Sequence, residues 1–376
     1  MNKLKVGFVG WRGMVGSVLM QRMLEENDFK NYTSFFFSTS QAGEKCPFDF
    51  AESEYLIDAN NLEELSNMDV ILTCQGSQFT IDVYDKLKNQ NWDGHWIDAA
   101  SHLRMEKNAV IVLDPINSDL IDKSYSDGVK TWVGGNCTVS LMLLAIHGLI
   151  KENLVEWVSS MTYQAASGAG ANNMRELLSQ MGYLFNSVSD MLENRQGSIL
   201  DIDHKITSAM LDKNMPINNF GVPLAGSVIP WIDSDLKNGS SKEEWKGQNE
   251  TLKILESQYA PVKVDGLCVR IGTMRCHSQA LTIKMKENLS IEQINEKISA
   301  GNQWVKLITN ERDATINQLS LTNASGKLDI LVGRIKKLNL DSNMISLFTI
   351  GDQLLWGAAE PLRRILSIIS KNDQIN

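Results

Sequence analysis

The chain has 376 residues, of which 43% are hydrophobic and 22% charged, and its formal net charge is −9. This balance is typical of a globular protein of two or three domains and excludes a disordered or fibrous chain. The negative charge argues against nucleic acid or an anionic membrane surface as the main partner, although a few local cations can still bind a small anion.

The first residues, MNKLK, run directly into an apolar segment and lack the features of a secretory signal. The most apolar later run, residues 141–150, is too short to span a bilayer. We therefore expect a cytoplasmic protein with no membrane partner. The five cysteines are odd in number and never spaced as CxxC, which predicts reduced thiols, no disulfide framework and no metal site.

Apolar strand-like segments alternate with amphipathic helical ones in the first part of the chain. The predicted strands are residues 4–9, 34–37, 70–73, 95–99 and 109–113, with helices at 14–26 and 79–89. This rhythm predicts an α/β fold with a Rossmann-like, doubly wound parallel sheet.

The pattern changes at about residue 155 and predicts a second, α+β domain. Its predicted strands are residues 155–164, 262–271 and 277–284, and its predicted helices are 171–188 and 291–300. A last amphipathic helix at 354–369 could return to the first domain. We therefore divide the chain into a first domain at 1–136, joined by the C-terminal helix at about 354–376, and a second domain at 137–353.

A glycine-rich segment, GWRGMVG at residues 10–16, joins the first predicted strand to the first predicted helix. Glycines let the backbone approach a pyrophosphate, and a helix N-terminus offers free N–H groups and partial positive charge. We place Gly10, Gly13, Met14 and Val15 in this nucleotide site. The GxxGxxG spacing is not the commonest dinucleotide fingerprint, and a plain strand-to-helix turn is the alternative.

The residues after the second predicted strand indicate which nucleotide is bound. An NAD enzyme usually has Asp or Glu there to hold the ribose hydroxyls. This chain has Ser38, Thr39 and Ser40 instead, and Arg12 is close enough in sequence to neutralise a 2′-phosphate. The pattern favours NADP, with a merely polar strand end as the alternative.

A candidate nucleophile, Cys137, lies in the segment GGNCT at residues 134–138, directly before an apolar helical run at 139–150. The positive end of a helix lowers the pKa of a cysteine and favours the thiolate. N–H groups of the first helical turn could also bind a developing oxyanion. The alternative, a small buried hydrophobe, is what we expect for the other four cysteines.

A helix start is predicted at residues 241–244, with Ser241 as the cap and Glu244 at the third helical position. Glu243 and Lys246 then share one helix face three residues apart. Without further information, a surface ion pair is the simpler interpretation of these two residues.

Five ordered motifs together resemble the bacterial aspartate-semialdehyde dehydrogenases over essentially the whole chain. The motifs are GFVGWRGMVG at 7–16, GGNCT at 134–138, QAASG at 164–168, EEWKG at 243–247, and VRIG with RCHSQ between 269 and 279. The resemblance implies NADP as cofactor, a homodimer, an NADP-binding first domain, and a catalytic and dimerisation second domain.

The resemblance also implies roles for individual residues. It makes His277 the acid/base group, Asn136 a catalytic neighbour of Cys137, and Gln164 the residue that orients the acyl intermediate. Substrate and phosphate ligands would be Arg270 for the α-carboxylate, Glu243 for the ammonium, and Lys246 and Arg104 for inorganic phosphate. Further cofactor contacts would be Gln75, Ser167, Gly168 and Gln353.

Three details test this assignment. Arg270 and His277 are seven residues apart, so one unbroken strand would face them oppositely, and we expect a bend at Gly272. Cys276 should point away from His277 and is a poor rival nucleophile. The loop around Arg195 lacks an expected proline and serine, which leaves any cofactor contact by Arg195 in doubt.

The implied reaction is the reversible reductive dephosphorylation of L-4-aspartyl phosphate to L-aspartate 4-semialdehyde through a Cys137 thioester. It would serve lysine (through diaminopimelate), threonine, methionine and isoleucine biosynthesis. Two alternatives stay open. One is a related acyl-phosphate reductase, acting on N-acetylglutamyl phosphate or glyceraldehyde phosphate, and the other is a catalytically silent nucleotide-binding sensor.

Overall fold

The computed structural model describes residues 3–193, 198–256 and 259–373. The strands are β1 Leu4–Val9, β2 Tyr32–Ser38, β3 Ile57–Asp58, β4 Val70–Thr73, β5 His95–Asp98, β6 Ala109–Val112, β7 Thr131–Gly134, β8 Val155–Gln164, β9 Val228–Ile229, β10 Lys263–Ile271, β11 His277–Met285, β12 Val305–Leu307, β13 Ile330–Leu338 and β14 Asp341–Gly351. The helices are α1 Met14–Glu25, α2 Leu62–Ser66, α3 Ser77–Asn89, α4 Asp114–Ser126, α5 Cys137–Lys151, α6 Ala171–Glu193, α7 Ile199–Met210, α8 Lys242–Leu255, α9 Ile291–Ala300, α10 Arg312–Gln318, α11 Leu321–Ala324 and α12 Glu360–Asp373.

The first sheet is seven-stranded and parallel, in the order β3-β2-β1-β4-β5-β7-β6. The chain builds outward from β1 to β3, then returns to β4 on the other side of β1. This reversal of strand order creates a crevice at the carboxyl ends of β1 and β4, where doubly wound sheets bind ligands. The predicted Rossmann-like fold is confirmed.

The second sheet is mixed, in the order β12-β13-β14-β11-β8-β10-β9. Strand β8, next to the central strand β11, runs parallel to β10 and antiparallel to β11. Residues of α5 and α9 pack with the strands in one large apolar core. This mixed sheet with covering helices confirms the predicted α+β arrangement.

The end of the chain returns to the first sheet. A π-helical turn, Leu355–Ala359, leads into α12, and Leu362, Ile365 and Leu366 are fully buried beside Val6 of β1. Arg22 of α1 also pairs with the buried carboxylate of Glu360 at 2.6 Å. The predicted packing of the last helix is thus observed, although α12 begins at Glu360 rather than at residue 354.

None of the helices in the described part of the chain combines the length and apolar character needed to cross a lipid bilayer.

Candidate active site

An open cleft with an empty volume of about 1500 Å³ lies where the carboxyl ends of the first sheet meet the second. Twelve of the residues predicted for the site line it: Met14, Val15, Arg104, Asn136, Cys137, Gln164, Ser167, Gly168, Glu243, Lys246, Arg270 and Gln353. The structure therefore brings together residues that are separated by more than 300 positions in the sequence.

Cys137 is the first residue of α5, as its position before the apolar run predicts. The side chain of Asn136 caps this helix, because its Oδ1 accepts from the N–H groups of Thr138 at 2.9 Å and Val139 at 3.2 Å. Gly357 of the π-helical turn lies so close that a Cβ there would be 2.4 Å from the Cβ of Cys137. Cys137 is thus held between a capped helix start and a glycine.

The protonation of Cys137 differs from the expectation. Burial and the nearby Glu243 carboxylate raise the pKa of the thiol to about 12, against the opposing charges of Arg270, Arg104 and Lys246. A rise from 9.0 to about 12 corresponds to about 4 kcal/mol. A helix N-terminus typically contributes about 0.3–1 kcal/mol. Burial therefore outweighs the helix, and the free protein holds Cys137 as a thiol.

His277 begins β11 and is fully buried behind the cleft wall. Its Nδ1 accepts a hydrogen bond of 3.1 Å from the N–H of Ala165, so the neutral ring carries its proton on Nε2. Nε2 has no partner among the described residues and would lie 2.9 Å from a Cβ at Gly168. Burial and the positive charge of Arg270 lower the pKa of His277 to about 3. The ring is neutral and directs one N–H towards Gly168 at the cleft wall.

Arg270 and His277 lie on two different strands, one on each side of β8. Arg270 of β10 pairs with Gln164, the last residue of β8, and its Nη1 donates to the Ala165 carbonyl at 2.8 Å. The chain leaves β10 at Ile271, directly before Gly272, and crosses the end of β8 to start β11. Because Arg270 and His277 are on separate strands, their seven-residue spacing does not force the two side chains onto opposite faces of the sheet.

Cys276 points away from this site. It has a φ of 72° just before β11 and is fully buried in a separate cluster with Leu331 and Ile350. This confirms the prediction that Cys276 points away from His277.

Glu243 and Lys246 form the predicted i, i+3 ion pair at 3.0 Å, on a helix that Ser241 and Glu244 cap reciprocally. The pair is buried in the cleft, so the interpretation as a surface ion pair is wrong. Glu243 Oε1 also accepts from Asn136 Nδ2 at 2.9 Å and from Gln164 Nε2 at 3.3 Å. These donors and Lys246 outweigh the cost of burial and lower the pKa of Glu243, which stays ionised.

Two acidic residues of the site have no counterpart in the sequence prediction. Asp233 accepts from Lys246 Nζ at 2.7 Å and lines the cleft. Glu250 is only 1% exposed and contacts both Arg104 and the backbone of Asn136. Glu250 lies four residues after Lys246 on α8, so a helical periodicity search from Glu243 and Lys246 could have found it.

The glycine segment has the shape of a dinucleotide cradle. Gly10 has a φ of +73°, and a Cβ there would be 2.5 Å from the backbone nitrogen of Gln75. A Cβ at Gly16 would be 2.2 Å from the Gly10 carbonyl oxygen, which lets α1 approach β1 closely. The N-cap of α1 is Gly13, which has no side chain to accept from the N–H groups of the first turn. These N–H groups are therefore available to an anion.

A cluster of hydroxyl groups surrounds Arg12 at the end of β2. Arg12 Nη2 donates to Ser38 Oγ at 3.3 Å and to Ser40 Oγ at 3.1 Å. Gln75 Nε2 donates to Thr39 Oγ1 at 3.2 Å. One guanidinium, two serines and a threonine are thus grouped at the end of β2, beside the glycine segment.

Ser167 and Gln353 form a connected pair in the wall of the cleft. Gln353 Nε2 donates to Ser167 Oγ, and its Oε1 accepts from the Cys276 N–H at 2.9 Å. The oxygen and the NH2 group of the Gln353 side-chain amide are therefore both oriented by protein contacts. Arg195 lies outside the described residues.

The chain matches two family models: "Semialdehyde dehydrogenase, NAD binding domain" over residues 5–124 and "Semialdehyde dehydrogenase, dimerisation domain" over residues 146–356. Among solved structures it is similar to aspartate semialdehyde dehydrogenase from Francisella tularensis, with 48% identity, a TM-score of 0.93, and coverage of 97% of this chain and 99% of that one.

Two more distant structures share the fold. Aspartate semialdehyde dehydrogenase II from Vibrio cholerae, solved with ASA, is 21% identical with a TM-score of 0.77, and each chain is covered to 99%. The Candida albicans enzyme, solved with NADP, is 15% identical with a TM-score of 0.64 over 99% of each chain.

The fold and the site define an oxidoreductase that acts on an aldehyde. The chain belongs to the semialdehyde dehydrogenase family.

Proposed function

We propose that this protein is an NADP-dependent aspartate-semialdehyde dehydrogenase that works through a thioester on Cys137. The observation that carries the proposal is the arrangement of charges around Cys137 in one cleft. Arg270 offers a cation for the α-carboxylate of an amino acid, and Glu243 offers an anion for its ammonium. Arg104 and Lys246 offer two cations for phosphate. The similarity to the Francisella tularensis enzyme supports the same substrate.

In the biosynthetic direction, the sulfur of Cys137 attacks the acyl carbon, the bond to the phosphate oxygen breaks, and the thiol proton leaves on the expelled phosphate, which Arg104 and Lys246 bind. Arg270 holds the substrate carboxylate through paired N–H donors, and Gln164 orients the acyl group. When bound, NADPH supplies the hydride that reduces the thioester. As the aldehyde leaves, His277 donates its Nε2 proton to the released sulfur of Cys137 and takes up a proton from solvent, consistent with a ring whose Nε2 has no partner among the described residues.

In the reverse direction, phosphate intercepts the thioester. Lys246 is held between Glu243 and Asp233 in the free protein. A phosphate dianion can replace Asp233 as the partner of the Lys246 ammonium. Glu243, which is needed for the substrate, then stays in place.

The carboxylate of Glu243 favours aspartate semialdehyde over the related acyl-phosphate substrates. An ionised, buried carboxylate is useful to a free ammonium and is an unfavourable neighbour for an N-acetyl group. The joint presence of Cys137, His277, Arg270 and Gln164 at one site argues against a silent nucleotide sensor.

We further propose a cytoplasmic homodimer that takes part in lysine (through diaminopimelate), threonine, methionine and isoleucine biosynthesis, with a division between domains at residue 136. The match to a family dimerisation domain supports self-association.

The decisive test is NADPH formation from aspartate semialdehyde and NADP, with and without phosphate, on wild-type protein and on Cys137→Ser. We expect activity that requires phosphate and disappears in the variant. NADP binding, measured by calorimetry, should be the same in both proteins. An intact NADP-binding protein without turnover would refute the substrate assignment, and phosphate-independent turnover would refute the acyl-phosphate route.

A further inference from the structure

Glu250 lies on α8, seven residues after Glu243 and four after Lys246, and it is 1% exposed. We propose that Glu250 is a positioning residue that holds the phosphate ligand Arg104 and the nucleophile loop in register with each other. The phosphate part of this inference rests on the proposed function.

The two oxygens of the Glu250 carboxylate contact two different segments. Oε1 accepts from Arg104 Nη1 at 3.1 Å, and Oε2 accepts from the N–H of Asn136 at 2.6 Å. Arg104 Nε in turn donates to the Gly134 carbonyl at 2.6 Å. The guanidinium is therefore held along its Nε and Nη1 edge, while Nη2 makes only a 3.5 Å contact with Ala99 O. Arg104 lines the cleft, where Nη2 is left to bind an anion.

The second contact acts on the nucleophile. Asn136 is the cap of α5 and directly precedes Cys137, so fixing its peptide N–H fixes the start of the helix. The same residue donates from its side chain to Glu243 at 2.9 Å. Arg104 belongs to the loop after β5 of the first sheet, Asn136 follows β7, and Glu250 comes from α8. A single carboxylate thus joins three segments at the place where phosphate and sulfur must meet.

The charge of Glu250 argues for a geometric role. A negative charge beside Arg104 weakens the positive potential that attracts phosphate, so electrostatics alone would disfavour it. Burying a carboxylate also carries a large desolvation cost, and a well-packed apolar residue is often as stable. What Glu250 provides is a fixed orientation of the Arg104 guanidinium, with its free edge directed at the ligand. Fixed orientation matters when two bound groups, here phosphate and the Cys137 thioester, must react with each other.

Glu250→Gln tests this role with little change in shape. A glutamine can accept from Arg104 or from Asn136, but its NH2 group then faces the other donor, so one contact is lost. The matched control is Glu256→Gln, which removes the same charge from the exposed C-terminal end of the same helix.

We expect Glu250→Gln to raise the KM for phosphate about tenfold or more, the loss expected for one charge-assisted hydrogen bond. The KM for NADP should change less than about twofold, and Glu256→Gln should resemble wild type. A purely structural role would instead lower the melting temperature and the fraction of active protein and leave the KM for phosphate unchanged. That outcome would overturn the proposal.

A second readout needs no turnover. The rate of Cys137 alkylation by iodoacetamide, followed by mass spectrometry, should change at least about threefold in Glu250→Gln, because the start of α5 shifts. If wild-type protein does not oxidise aspartate semialdehyde, the proposed function fails, and the alkylation rates alone decide whether Glu250 positions the nucleophile. Should Glu250→Gln not fold, Glu250→Asp replaces it, since the shorter carboxylate cannot reach both partners. Rates equal to wild type in the folded variant would refute the inference.

Discussion

Cys137 is subject to opposing electrostatic influences at the residue scale. Burial and Glu243 favour the thiol, while Arg270, Arg104 and Lys246 favour the thiolate, and burial is the largest effect. The free site therefore keeps its nucleophile protonated. In the proposed function, a substrate ammonium beside Glu243 would offset its charge and lower the pKa of Cys137.

The pH dependence of alkylation tests this protonation state. Because the pKa of Cys137 is raised to about 12, its thiolate fraction in the free protein should increase about tenfold for each pH unit between about pH 7 and 9. The alkylation rate of the peptide containing Cys137 should follow this slope. A plateau near neutral pH would show that the thiolate is already formed, and the absence of label in Cys137→Ser confirms the site.

The hydroxyl cluster around Arg12 predicts the choice of nucleotide. Arg12→Ala removes the only cation in contact with Ser38 and Ser40 among the described residues, while the cradle formed by Gly10 and Gly13 stays intact. We expect the KM for NADP to rise about tenfold or more and the KM for NAD to change less than about twofold. Steady-state kinetics with both nucleotides measure the ratio. An equal loss with both would mean that Arg12 supports the fold of the loop rather than the 2′-phosphate.

At the scale of elements, the start of α5 depends on the π-helical turn Leu355–Ala359. Such turns interrupt α-helices and are frequent at functional sites. Here the turn brings Gly357 against Cys137 before α12 continues along the first sheet. The same stretch of chain therefore closes the first sheet and forms one wall of the nucleophile's pocket.

Gly357→Ala should displace the nucleophile. The added Cβ would lie 2.4 Å from the Cβ and 2.8 Å from the Cα of Cys137, so the start of α5 must move. A displacement of about 1 Å can lower the rate about 100-fold, and we expect a kcat loss of that order with NADP binding retained. Gly182→Ala is the matched control, since a Cβ there meets no atom within 4 Å. Wild-type kcat in Gly357→Ala would contradict the close contact.

At the scale of the whole molecule, the second sheet carries a partly exposed apolar row on one face. The pairing of β10, β8, β11 and β14 aligns Leu267, Met161, Ala280 and Phe348 in one row on the side opposite the main core. Leu267 is 52% exposed and the other three are partly exposed. Antiparallel sheets can leave one face to water, but that face is then usually polar. An apolar row is typical of an interface, and a second copy of the chain is the partner that the dimerisation domain implies.

Met161→Glu should disrupt the proposed homodimer. A charge in the centre of the row would be buried twice in a two-fold symmetric interface, which is strongly unfavourable. We expect the mass measured by light scattering to fall from that of a dimer to that of a monomer. Leu340→Glu, at a turn position that is 80% exposed, is the control and should remain dimeric. A dimeric Met161→Glu protein would place the interface elsewhere.

Local patterns predicted much of the fold and of the site. The strand and helix rhythm of the first domain, the capped start of α8 and the position of Cys137 at the start of α5 all follow from short-range periodicity and capping chemistry. The short strands β3, β7, β9 and β12, the helices α4 and α7, and the hairpin of β13 and β14 were missed. Strands of two to four residues carry too few positions to show a period. Strands β13 and β14 pair with each other, and their place in the second sheet is fixed by the pairing of β14 with the distant β11.

The sequence by itself determined the residue types of the site, because each motif carries its chemistry within a few positions: glycines at a helix start, a cysteine at another, and a Glu and a Lys one helical turn apart. Tertiary structure alone decided what surrounds them. The partners of Glu250 lie 114 and 146 positions away, and the burial that keeps Cys137 and His277 neutral comes from strands and helices of distant sequence. Burial and long-range contacts are properties of the packed chain, so no local pattern can specify the protonation states on which the chemistry depends.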